Sequence, residues 1–242
     1  MTNLHTTGRG LFLAAVAGAL RLMTAGIDAR ASEPGTALEG VAGIGGFKVP
    51  LPDGQWTVFY SEDKPEGKIP TFTLGLLRTG GKAVKQIAFI RVANNSIRGG
   101  FKPFEQCALP NYFFAETVVN QIGGAQNCWH VRPETLAADT PSARQTALTN
   151  FAKSRKLFLP LTMIGSRYHM ASRTSSLRVS YGWAPDLIIP APKEKKAWRF
   201  QDWTAEAVAV DARKKAVMTR MKHWGEEWRP KVLEAFSKKS GS

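Results

Sequence analysis

Between residues 47 and 93, apolar side chains recur on a two-residue period in four separate runs. "FKVPL" places Phe47, Val49 and Leu51 on one face, and "QWTVFY" does the same with Trp56, Val58 and Tyr60. "TFTLGLLR" aligns Phe72, Leu74 and Leu76, and "AVKQIAFIRVA" aligns Val84, Ala88, Ile90 and Val92. The turn Pro52–Gly54, the polar loop "SEDKPEGKIP" and "TGGK" separate the runs. Period-two alternation between Gly-, Pro- and Asp-bearing turns is the signature of strands joined by hairpins. The four segments predict an antiparallel meander buried on one side. Ile87 and Phe89 make the last run apolar on both faces, which predicts a central place for it.

The second half turns helical. "PSARQTALTNFAKSRK" has Pro141 placed to open a helix, with Ala147, Leu148 and Phe151 at helical spacing. "SSLRVSYGW" alternates Leu177, Val179 and Tyr181 and predicts a further strand, whereas "IIPAPKEKKAW" is a connector. From Asp202 to Trp228 the apolar residues Trp203, Ala207, Val210, Val217, Met221, Trp224 and Trp228 form one long helical stripe. Asp202 is placed to cap it, and Pro230 to stop or kink it, with "PKVLEAF" adding a short final turn. A one-sided sheet needs a cover, so the stripe is expected to pack there with Trp224 and Trp228 buried. The fold class predicted is α+β: an N-terminal antiparallel β-meander with a long C-terminal helix packed on its apolar face.

The N-terminus adds a compartment. Arg9 precedes an apolar run from Leu11 to Leu20, and Ala29-Arg30-Ala31 forms a small-residue site. This pattern predicts a signal peptide over 1–31, cleaved before Ser32. Arg21 interrupts the run and Ala17-Gly18-Ala19 offers an earlier site, so an uncleaved anchor and a cytosolic chain with an apolar N-terminal helix are the alternatives. The Gly-rich stretch 32–46 reads as a flexible leader, and 47–242 as one α+β domain. The expected location is periplasmic or secreted, with no transmembrane helix after cleavage. In that setting Cys107 and Cys128, the two cysteines of the chain, are expected to form a disulfide. A thiol nucleophile at Cys128, with His130 two residues away, is the competing reading.

The chain carries a formal net charge of +14. Seven basic residues and no acid lie between Glu66 and Glu105, and seven more between Asp139 and Asp186. Arg78, Lys82, Lys85 and Arg91 are the candidate anion-binding residues: Lys85 and Arg91 are expected opposite the face of Val84, Ile90 and Val92, with Arg78 and Lys82 flanking the turn. Candidate chemistry is otherwise sparse. His130, His169 and His223 are scattered, and no paired C-x-x-C, H-E-x-x-H or Asp-rich loop provides a metal site. Ser61-x-x-Lys64 sits in a hairpin loop without its companion motifs, and Glu105 with Glu116 is too loose a carboxylate pair to assign. No catalytic residue, cofactor or metal is assigned, and no nucleic-acid module is recognisable. The reading is an envelope accessory or binding protein for an anionic ligand or partner; the alternative is an envelope or extracellular hydrolase.

Overall fold

A computed structural model describes residues 32–96, 98–109, 113–136 and 140–240. The expected signal segment 1–31 lies outside them. Among the described residues the strands are β1 (Ala37–Leu38), β2 (Val41–Ile44), β3 (Phe47–Pro50), β4 (Trp56–Asp63), β5 (Thr71–Gly80), β6 (Ala83–Asn94), β7 (Phe114–Asn120), β8 (Gln126–Thr135), β9 (Thr162–Ala171) and β10 (Ser175–Trp183). The α-helices are α1 (Ala143–Ser154), α2 (Ala205–Ala209) and α3 (Ala212–Ser240).

Eight strands make one antiparallel sheet in the order β1-β4-β5-β6-β10-β9-β8-β7, and β2 pairs with β3 apart from it. The expected meander is β4-β5-β6, and β6 lies inside the sheet, as its two apolar faces require. A second meander, β7-β8-β9-β10, is joined to the first by the β6–β10 pairing. Helix α3 and the β2–β3 hairpin cover one face. Val217, Met218, Met221 and Val232 of α3 are buried there against Trp129, Tyr168 and Tyr181, and Phe236 stacks on Phe47 with ring centroids 5.9 Å apart. Hydroxyls tie the layers together: Tyr168 donates to the Gly225 carbonyl at 2.8 Å and Ser166 to the Met221 carbonyl at 3.1 Å. Gly225 is required by this approach, since a Cβ there would lie 2.4 Å from Cζ3 of Trp129. The α+β class, the covering C-terminal helix and the Cys107–Cys128 disulfide, with Cα atoms 5.7 Å apart, are all present.

Several details differ from expectation. Residues 32–46 are not a loose leader. β1 pairs with β4, and Ala42 and Ile44 are fully buried. Gly45, at φ +54°, turns the β2–β3 hairpin where a Cβ would strike Val92 at 2.7 Å, so its glycine serves a tight approach rather than slackness.

The sheet is also covered on both faces. The register slips between Val58 and Tyr60 of β4, and between Arg78 and Thr79 of β5 where Lys85 is the extra residue on β6. A bulge reverses which face the following residues occupy. Tyr60 and Val84 therefore leave the face of Trp56 and Ile90 and pack with Phe59, Ile87 and Leu148 of α1 in a second, smaller core. Helix α1 opens as expected just after Pro141, through a capping box between Ser142 and Gln145.

The long C-terminal stripe is divided. Phe200–Trp203 is a 3₁₀ turn, and Val210 stands 88% exposed at the break after α2. Asp202 caps no long helix: it accepts from the Arg199 N–H at 2.8 Å and pairs with Lys195. Asp211 starts α3 instead, accepting from the Arg213 N–H at 2.9 Å. The helix then runs through Pro230 to Ser240. Pro230 removes the donor for the Glu226 carbonyl, but both residues are exposed and water can serve that oxygen. Trp224 and Trp228 are half-buried, stacked at 5.2 Å and edge-on to Tyr181.

Candidate anion-binding cleft

On the sheet face turned away from α3, alternate residues of four strands are polar. The strand register gathers them into rows. Arg91 stands opposite Arg178, Arg178 opposite His169, and His169 opposite Cys128. One step along, Phe89 faces Ser180, Ser180 faces Arg167, and Arg167 faces His130. Neighbouring strands are only about 4.8 Å apart, and like charges placed directly opposite destabilise a sheet.

Two walls rise from this floor. On one side α1 lies over β4 and sets the Arg144 guanidinium over Phe89, 4.9 Å from the ring centroid. On the other, a 3₁₀ turn over Glu105–Ala108 is fixed to β8 by the disulfide. Thr117 Oγ1 donates to the Cys107 carbonyl at 2.6 Å, and Asn120 exchanges hydrogen bonds with both backbone groups of Phe104. The Phe104 ring is thereby held 4.1 Å from the His169 ring and 4.2 Å from the Arg178 guanidinium. The space between the walls is a depression of about 220 Å³; two others, of about 280 and 550 Å³, adjoin it at Arg144, which lines all three.

The charges in the cleft do not balance. Arg91 pairs with Glu66, and Arg167 with Glu134. Among the described residues no carboxylate lies within ion-pairing distance of Arg144 or Arg178. Burial, then the Arg91 charge, pushes the Arg178 guanidinium down to about 10. Burial and then Arg167 lower Arg144, and burial and then Arg144 lower Arg91. Burial is the largest influence on Glu134 and opposes its ionisation, but Arg167, Arg132 and His130 together hold the carboxyl below its usual range.

Both histidines are neutral. Burial, then Arg167 and Arg132, lowers His130 to about 3; burial, then Arg178 and His130, lowers His169 to about 3. Gln126 Nε2 donates to the carbonyls of Lys102 and Gln121, which leaves its Oε1 as acceptor 2.6 Å from His169 Nε2. The His169 proton therefore resides on Nε2. Next to the cleft, burial and then Glu62 raise the Tyr60 hydroxyl to about 12.

Of the four residues singled out from sequence, the structure brings only Arg91 to this place. Arg78 donates to Gln86 Oε1 at 3.0 Å near the far end of the β5–β6 hairpin, Lys82 lies in its turn, and Lys85 is the bulge residue. Six residues of strand put Lys85 about 20 Å from Arg91, and Val84 shares the face of Arg91 rather than opposing it. The partners of Arg91 are Arg144, Arg167 and Arg178, all from the second acid-free stretch. Cys128 is consumed by the disulfide, with His130 on the same strand face. Glu116 forms no carboxylate pair: it accepts from Trp129 Nε1 at 2.8 Å and from Arg229 at 3.0 Å, tying β7 to α3. Ser61 lies in β4 and opens no helix, and His223 is exposed on α3 beside Glu226. Among the described residues no group of three or more His, Cys, Asp or Glu could hold a metal ion, and no helix is long and apolar enough to cross a membrane. No protein-family model, curated protein or solved structure matches this chain.

Proposed function

We propose that this protein is an exported binding protein that captures an anionic ligand in the arginine-lined cleft. The observation that carries the reading is the cross-strand pair Arg91–Arg178, flanked by Arg144 and Arg167 with only two ion-paired carboxylates among the four. With Arg91 and Arg167 ion-paired, the charges of Arg144 and Arg178 remain uncompensated in a crowded basic site, and their repulsion opposes folding until an anion neutralises them. Three of them stand on β-strands, so the donors are already oriented and little ordering is left to the ligand. The forked geometry of guanidinium suits carboxylate and phosphate oxygens. Export is supported by the signal-like segment 1–31 and by the disulfide. Hydrolysis has less support, because both histidines are poor bases at neutral pH and Arg167 stands between Ser180 and His130.

The test is thermal unfolding with phosphate titrated at constant ionic strength. Phosphate should raise the melting temperature of the wild type, and Arg178→Met or Arg144→Met should abolish the rise. Lys82→Glu/Lys85→Glu should leave it intact. An equal rise in the wild type and both arginine variants would refute the assignment.

A further inference from the structure

The arginine-lined depression of about 220 Å³ opens sideways. Phe89, Arg144 and Arg167 also line the neighbouring depression of about 550 Å³, so the two are lobes of one site. The larger lobe falls within the size range of small-molecule pockets. Its rim is unexpectedly apolar for so basic a region: Leu136 is half-buried, while Leu109 and Phe200 are 46% and 41% exposed. These side chains come from three separate segments, beyond the 3₁₀ turn, at the end of β8 and before α2. The core does not account for Phe200, since Trp203 of the same turn fills the interior. Large apolar side chains gathered at the mouth of a charged site mark a surface kept for contact.

We infer that the ligand is a phosphorylated lipid-like alcohol, with its phosphate between Arg144 and Arg178 and its apolar body running over Phe89 towards Leu109 and Phe200. This rests on the anion-binding reading above. Phosphate is favoured over a lone carboxylate because its terminal oxygens can engage several guanidinium forks, whereas one fork satisfies a carboxylate. An acidic glycan would find hydrogen-bonding partners in the wide lobe at Thr135, Ser142 and Gln145, but it would leave the exposed Leu109 and Phe200 side chains without apolar cover.

The experiment is calorimetric titration of the full chain at constant ionic strength with hexyl phosphate, inorganic phosphate and trigalacturonate. Hexyl phosphate should bind at least tenfold tighter than inorganic phosphate. Phe200→Ser, a change at a partly exposed position, should cut that preference below threefold and leave inorganic phosphate unaffected. Equal binding of the two phosphates, or a preference that survives Phe200→Ser, overturns the amphipathic ligand while leaving the anion site standing. Tighter binding of trigalacturonate overturns it in favour of a glycan. Failure of both phosphates to bind removes the anion site itself, and the lipid-like ligand with it.

Discussion

Lowering the pH from 7.5 to 5 should weaken the fold through two side chains, His130 and His169. Each is 3% exposed and each is held at about 3 in the folded chain, against an ordinary value of 6.5. Between those limits the unfolded chain binds a proton that the folded chain refuses. The stability contributed by the neutral rings is therefore complete above about pH 6.5 and is lost as the pH falls towards 3. At pH 5 each ring has cost the fold about 2 kcal/mol, and the pair about 4 kcal/mol. That is a large share of the roughly 5–15 kcal/mol that holds a typical domain together. The groups facing the rings do not share this window. Arg132, Arg167 and Arg178 stay charged, and Glu134 is held below the usual carboxylate range. Urea unfolding followed by tryptophan fluorescence at pH 7.5, 6.5, 5.75 and 5 reads the effect directly. The unfolding free energy should fall with a pH dependence approaching two protons by pH 5, carrying the midpoint down with it, and His130→Gln/His169→Gln should flatten it. A wild-type midpoint constant from pH 7.5 to 5 would refute the burial argument.

Gly225→Ala should destabilise by about 2 kcal/mol, because the new methyl meets a Trp129 ring fixed by Glu116; an unchanged urea midpoint would contradict that packing. Non-reducing peptide mapping should join Cys107 to Cys128, and Cys107→Ser/Cys128→Ser should cost about 3 kcal/mol by loop-closure entropy. Rapid labelling of Cys128 by a thiol reagent in the native, non-reduced protein would show that the link is absent.

Much of the sheet was legible where large apolar side chains alternate with polar or small ones. β5 shows this over Phe72, Leu74 and Leu76, and β10 over Leu177, Val179 and Tyr181. β9 gave no such signal. Its core-facing series includes Ser166 and Tyr168, whose hydroxyls bond to α3, and its other series includes the cleft residues Arg167 and His169. Polar residues thus fall on both sides and the period fades. The bulges at β4 and β6 were invisible for a different reason: alternation within one strand carries no information about its partner's register. The same limit governed the site. Charge segregation pointed to both contributing stretches, but Lys82 and Lys85 are neighbours of Arg91 only along the chain. Arg178 is its neighbour in space, and only the β6–β10 pairing reveals it.

That pairing is also a seam. Each meander can zip locally through its own hairpins, whereas β6 and β10 must find each other across β7, β8, β9 and α1. Contacts of such long sequence separation form late and slowly. Here the closing edges bring Arg91 against Arg178, so electrostatic repulsion opposes the step that completes the sheet. A counter-anion present during refolding would lower that barrier as well as deepen the native minimum. Refolding would then run faster in phosphate than in chloride of equal ionic strength, so that an anion seated in the cleft would act as a folding aid.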